Sequence, residues 1–283
     1  TVRELSQMGH FDPEKFTTDG MEVLPDGENG TVDINYNLET KSSDQFEMSI
    51  GWGQTGVIGS VGVKFTNFSI QNIFKPKSYR IVPQGDGQTL SLRAQTNAQY
   101  YQSYGISFME PWLGRKRPTA LTLSANYSIQ TGMSDRFSSY YNNYYYSMYG
   151  NDYMNMIEYD DEKFIKTLTL AAGIGTRLSW PDDYFTLYGE ISYQRHKLQN
   201  WNYVVMSNGA SNNLSLNINF GRNSIDNPYY TTRGSSFMMS LQVTPPYSLF
   251  DNIDYDDESI PGEERYKWVE YHKWKFKSKT YTA

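Results

Sequence analysis

The chain contains no cysteine, which removes disulfides, thiolate metal sites and thiol catalysis together. That absence decides nothing about compartment. No apolar run approaches the ~18 residues of a membrane-spanning helix, so a helical span is excluded. Positive charge is not in excess either: 25 Lys and Arg against 31 Asp and Glu leave a net charge of −6 and a pI near 5.2. Nucleic acid needs concentrated Lys and Arg, so it is excluded as a partner. Histidine is scarce, and His10, His196 and His272 fall on different segments without ligand spacing. No metal or cofactor is expected.

Hydrophobic residues make up only 38% of the chain and mean hydropathy is −0.65, yet aromatics reach 16%, with 25 Tyr, 14 Phe and 6 Trp. Disordered chains are poor in aromatics, so low hydropathy here does not mean disorder. A closed sheet in lipid reconciles the two facts. Only about half of each strand meets lipid, the lumen and loops are polar, and Tyr and Trp gather at the interfaces.

The stretch 43–68 shows the pattern most plainly. Phe46, Met48, Ile50 and Trp52 alternate with Gln45, Glu47, Ser49 and Gly51, the period of two that marks a β-strand. After Gly53-Gln54-Thr55-Gly56 the alternation resumes, with Val57, Gly59, Val61, Val63 and Phe65 against Ile58, Ser60, Gly62, Lys64 and Thr66. This predicts a hairpin. The same alternation predicts further strands through Leu90–Gln95, Tyr104–Phe108, Leu121–Ser128, Leu168–Ile174, Phe185–Gln194, Leu214–Phe220 and Phe237–Val243. A last strand is expected within Tyr266–Tyr281, where Lys and aromatic residues fit either phase. About ten strands result, each with one apolar face and one of Ser, Thr, Asn, Gln and Arg: an all-β, transmembrane antiparallel β-barrel pattern.

The connections agree. If the first strand leaves the side of the N-terminal unit, the long links Met133–Lys166, Lys197–Asn212 and Pro245–Glu264 lie on the far side, and tighter ones such as Pro111–Pro118 and Trp180–Asp183 lie on the near side. Short periplasmic turns and long outer loops are the outer-membrane barrel signature. Asn67–Asp86 is longer than that rule expects. Before the barrel, Val2, Leu5 and Met8 predict the end of a helix stopped by Gly9, and Met21–Leu24 and Thr31–Leu38 predict two short strands around the turn Pro25–Gly30. Thr1-Val2-Arg3-Glu4-Leu5 has no apolar core of a signal peptide, which an outer-membrane protein needs, so a processed chain or a fragment is expected.

Three groups of residues invite a functional reading. Tyr140, Tyr141, Tyr144, Tyr145, Tyr146 and Tyr149 form a loop that reads equally as a docking surface for an external partner or as an aromatic lid over the lumen. Asp251, Asp254, Asp256, Asp257 and Glu258 lack the spacing and the turn Gly of a calcium loop, and read as a solvated acidic loop. Glu110, beside Pro111 and Trp112, has no acid or base partner nearby in sequence and reads as a turn residue. No Ser, His and carboxylate arrangement suggests an enzyme. On pattern alone, Gln45–Trp52 is a well-paired strand of an ordinary porin or receptor barrel.

Arg3-Glu4-Leu5-Ser6-Gln7-Met8, Phe11-Asp12-Pro13-Glu14-Lys15, Asn29-Gly30-Thr31-Val32-Asp33-Ile34 and Lys41-Ser42-Ser43-Asp44-Gln45 resemble the end of the last periplasmic POTRA domain, and its barrel junction, in the BamA/Sam/Toc/Tam superfamily, the bacterial surface antigen family. Phe108-Met109-Glu110-Pro111-Trp112-Leu113-Gly114 with Arg117-Pro118-Thr119 is similar to the family's fourth strand and turn, and Thr232-Arg233-Gly234-Ser235 to the entry of its ninth. The family's Val-Arg-Gly-Phe loop and aromatic-ended last strand are missing, and Arg233-Gly234, sitting before strand nine, is not that motif. The resemblance implies a fragment: residues 1–42 as the C-terminal part of a POTRA domain, and 43–283 as about ten of sixteen barrel strands.

For function, the resemblance to the BamA-like insertases implies an outer-membrane assembly factor with its N-terminal part in the periplasm. Its first strand, Gln45, Phe46, Glu47, Met48, Ser49, Ile50, Gly51 and Trp52, would be a lateral gate that pairs with the last strand of an unfolded client barrel. Gly51 and Gly53 would loosen its upper part. Lipid, client outer-membrane proteins and accessory lipoproteins or surface subunits would be its partners. The alternative within the superfamily is a pore that secretes a polypeptide, and a plain porin is disfavoured by the POTRA-like residues 1–40.

Overall fold

The computed structural model describes residues 21–26, 30–37, 44–53, 56–79, 81–98, 100–114, 119–133, 148, 159–225, 231–250, 253, 255 and 259–282. The expected helix before Gly9, the tyrosine-rich loop and the acidic residues Asp251, Asp254 and Asp256–Glu258 lie outside these.

Strands β1 (Met21–Asp26) and β2 (Thr31–Tyr36) form an antiparallel pair, Met21 opposite Tyr36 and Asp26 opposite Thr31. The first strand runs on through Pro25 and Asp26, into the residues expected to form the turn. Proline lacks a donor but is tolerated in a strand that has a free side.

The remaining strands make one ten-stranded antiparallel sheet in which every strand pairs with its sequence neighbours. They are β3 (Gln45–Gly53), β4 (Gly56–Phe68), β5 (Gln88–Asn97), β6 (Tyr101–Glu110), β7 (Thr119–Met133), β8 (Tyr159–Arg177), β9 (Phe185–Gln199), β10 (Gly209–Asn223), β11 (Gly234–Val243) and β12 (His272–Tyr281). Among the described residues, β3 and β12 are its two edges.

Register turns the alternation of each strand into two continuous faces. Phe46, Val63, Leu92, Ile106, Ala125, Leu170 and Tyr193 lie opposite one another in series across β3 to β9. This apolar face stays open: Ile106, Phe108, Leu123, Ala125, Leu170 and Ile191 line a shallow depression of about 510 Å³ on it. The other face is polar and stitched by cross-strand hydrogen bonds. Ser192 meets Ser215 at 2.8 Å, Asn217 donates to Glu190 at 3.2 Å, and Gln242 donates to Ser215 at 3.2 Å. Hydroxyl and amide pairs of this kind fix register while sparing the backbone ladder.

We call the rim where β3 begins the near rim. There a row of rings crosses the apolar face, Phe185–Phe220, Phe220–Phe237 and Phe237–Phe276 at 5.3, 6.3 and 5.1 Å between centroids. Aromatic girdles at this level are what a membrane strand needs where lipid tails give way to headgroups. The contact through Phe276 also settles the phase of β12. Trp274 and Phe276 stand opposite Leu241 and Met239 on the apolar face, and Lys273, Lys275, Lys277 and Lys279 take the polar one.

Two connections differ from expectation. The residues 266–271 are not strand: a helical turn, Gly262–Arg265, precedes them, and Asn212 of β10 binds Lys267 and Val269 backbone groups at 2.8 and 2.9 Å. Stacking of Tyr247 on Trp268 at 4.6 Å closes that far-rim loop. Pairing edges won over strand propensity because β11 ends at Val243, leaving β10 free to take this segment. The link 200–208 is also shorter than Lys197–Asn212, since β9 and β10 run to Gln199 and from Gly209. It folds back so that Trp201 and Met206 bury against Leu198.

Asn67–Asp86, unexplained by the turn rule, is a folded unit. Ser69 is fully buried, and its hydroxyl donates to Asp86. The Ser69 N–H reaches Pro83 O at 2.9 Å, the Asn72 side chain donates to Gln84 O at 2.9 Å, and Gly85 N–H reaches Asn67 O at 3.0 Å.

Candidate functional site: the first barrel strand

Strand β3 pairs with β4 from Gln45 opposite Lys64 to Gly53 opposite Gly56. Its other side has no strand among the described residues, because β3 ends the sheet. All of the expected edge residues are therefore brought together in one extended row. Phe46, Met48, Ile50 and Trp52 project from the apolar face with 64–81% of their surface exposed, more than Val57 or Val61 on β4. Gln45, Glu47, Ser49 and Gly51 take the polar face. Ser49 meets Ser60 hydroxyl to hydroxyl at 2.7 Å, the single side-chain hydrogen bond described from the strand itself.

The lower end of β3 is fixed by a side chain. Where the ladder stops, the Thr66 N–H of β4 donates to the Asp44 carboxylate at 3.0 Å. That clasp is invisible in the sequence, since a lone Asp before a strand is usually just a turn residue. The upper end is open: nothing lies within 4 Å of where a Gly51 side chain would begin. Gly51 is thus not demanded by packing, and its effect there is on backbone freedom.

Chemically the edge offers a row of backbone donors and acceptors flanked by apolar side chains on one face and small polar ones on the other. It suits one kind of ligand, another strand with the same alternation. Among the described residues, no group of three His, Cys, Asp or Glu could hold a metal. His196 meets Thr167 at 2.9 Å on the polar face, and His272 opens β12, so the described histidines do not converge. Glu110 accepts from Gln88 at 2.8 Å and from the Trp112 N–H at 3.0 Å, which is a turn-fixing role.

Consecutive antiparallel strands with one continuous apolar face, one hydrogen-bonded polar face and an aromatic row at the rim define a sheet of the outer-membrane β-barrel class. A family model for the Omp85 superfamily domain matches residues 84–283, and the chain belongs to that superfamily. It is also similar to the crystal structure of BamA from Haemophilus ducreyi lacking POTRA domains 1–3, with 18% identity and a TM-score of 0.47 over 87% of this chain. The chain spans 41% of that structure's length. Superfamily membership places the chain in the outer membrane.

Proposed function

We propose that the chain is a stretch of an outer-membrane assembly factor that folds and inserts client β-barrels, with β3 as the lateral-gate template for the client's last strand. In this reading residues 1–42 end a periplasmic POTRA domain, residues 43–283 begin a sixteen-stranded barrel, and accessory lipoproteins or surface subunits bind elsewhere on it. The observation that carries the proposal is the place of β3: first in the barrel and hydrogen-bonded on one side among the described residues. Each unsatisfied backbone group in lipid costs several kcal/mol, so an edge there strongly favours any strand that can satisfy it. Main-chain pairing accepts many sequences, which suits a broad client range. Strand pairing and apolar burial supply the drive, and no covalent step is required.

Successive residues of β3 point their N–H groups alternately toward β4 and away from it. Prolines placed singly at Glu47 and Met48 in the full-length protein therefore remove one donor of each kind. The outward replacement is expected to leave the protein's own barrel folded, judged by heat-modifiable mobility, while client insertion falls. Client insertion at the parent level in both variants would overturn the proposal.

A further inference from the structure

The near-rim unit 69–87 does more than connect β4 to β5. Gln88 and Glu110 share the strand phase of Leu90, Leu92, Ile106 and Phe108, so both stand on the apolar, lipid-facing side of the sheet. Polar side chains on that side need a cover, and Gln88 is only 3% exposed. Its cover includes the first turn of the unit, whose Ile70 N–H donates to Gln88 Oε1 at 2.8 Å. Phe65 and Phe68, at the same end of β4, are buried as well, with Phe68 edge-on to Phe108 at 6.3 Å. The unit therefore sits outside the sheet, beside the lipid-facing band at its near end.

From that position it presents apolar residues outward. Phe74 is 93% exposed and Ile81 79%, with Ile70 and Ile73 also exposed. The turns that carry them are held firmly: Tyr79 donates to Ile73 O at 2.6 Å, and Ser78 donates to Lys75 O at 2.8 Å. Lys75 precedes the short turn Pro76–Ser78, next to Phe74, and Lys77 lies within it. Exposed apolar residues on a rigid support, interleaved with Lys and continuous with a lipid-facing surface, form an interfacial anchor.

We propose that the unit 69–87 is a foot seated in the near leaflet, with Phe74 and Ile81 among the upper acyl chains and Lys77 at the phosphates of the phospholipid headgroups. This inference rests on the membrane-spanning sheet and not on strand exchange at β3, so the two stand or fall separately. The test is a nitroxide label at Phe74 and, in a second variant, at Ile81, in the full-length protein reconstituted in phosphatidylethanolamine and phosphatidylglycerol bilayers. Both sites are exposed, and heat-modifiable mobility reports that each labelled protein is folded. Oxygen is expected to relax both labels several-fold more than a water-soluble nickel chelate does. A label at Lys77 is expected to show the reverse. Free access of the chelate to Phe74 and Ile81 would overturn the proposal, as would exclusion of both reagents, which would mean that protein covers the foot.

Discussion

The Tyr188 ring of β9 lies across Gly173 of β8, occupying the space where a side chain at that position would be. Tyr188 pairs in register with Gly175, leans over both glycines, and donates its hydroxyl to Glu190 at 2.6 Å, the residue opposite Gly173. An aromatic side chain that fills the gap left by strand glycines restores packing that a strand interior otherwise loses.

Because that ring is tethered at both ends, a larger residue at Gly173 has to break the tether. Gly173→Val in the full-length protein is expected to lose about 1–3 kcal/mol of stability, the usual penalty of overpacking. Unfolding by urea in detergent micelles measures it. Tyr188→Phe, which keeps the ring and removes the hydroxyl bond, is expected to lose less, about 1 kcal/mol.

Asp182, in the near-rim turn between β8 and β9, takes both Nε and NH2 of Arg222 at 3.0 and 2.9 Å, and the Tyr184 N–H at 2.9 Å. Desolvation pushes its pKa up. The Tyr184 and Arg222 hydrogen bonds and the Arg222 charge outweigh that and hold the carboxyl below its ordinary 3.8. A lowered carboxyl pKa stabilises the fold above the unfolded value, and the benefit fades as pH falls through the folded value. The difference in urea midpoint between the parent and Asp182→Asn is therefore expected to be present at pH 7, to begin closing near pH 4, and to vanish at lower pH.

Gln88 holds Ile70 with its carbonyl and Glu110 with its amide, so it pins the 69–87 unit to the sheet. Gln88→Ala leaves the Ile70 N–H and one Glu110 oxygen without partners, at a cost of about 1–3 kcal/mol each where they stay buried. Faster hydrogen exchange at Ile70 and its neighbours, with β7–β10 unchanged, is the expected result.

These features also show what a sequence reveals about such a fold. Strands such as β7, with Leu121, Leu123 and Ala125 against Thr122, Ser124 and Asn126, are legible because lipid on one side and water on the other impose a strict period of two. The whole run of strands β3 to β11 follows from that rule. β12 resisted it because Trp274 and Phe276 alternate with lysines long enough to serve either environment, and only its pairing with β11 chose the face. The 69–87 unit was hidden for another reason. Its order comes from hydrogen bonds such as Ser69 to Asp86, between residues distant in sequence, and these leave no periodic trace. The Asp44 clasp on Thr66 is of the same kind. Of the candidate site, the face each β3 residue takes was legible. The sequence pattern did not show that the strand ends the sheet, because pairing partners are not written in a single strand.

Site-specific crosslinking along β3 tests its role as a template most directly. Photoreactive residues at Gln45, Phe46, Glu47, Met48 and Ser49 in the full-length protein, in cells carrying a stalled client barrel, report which strand lies beside the edge. Crosslinks to the client's last strand that rise and fall with a two-residue period are the expected result. Crosslinks confined to the protein's own final strand would mean a seam that stays shut, and would contradict the template in favour of a transport pore.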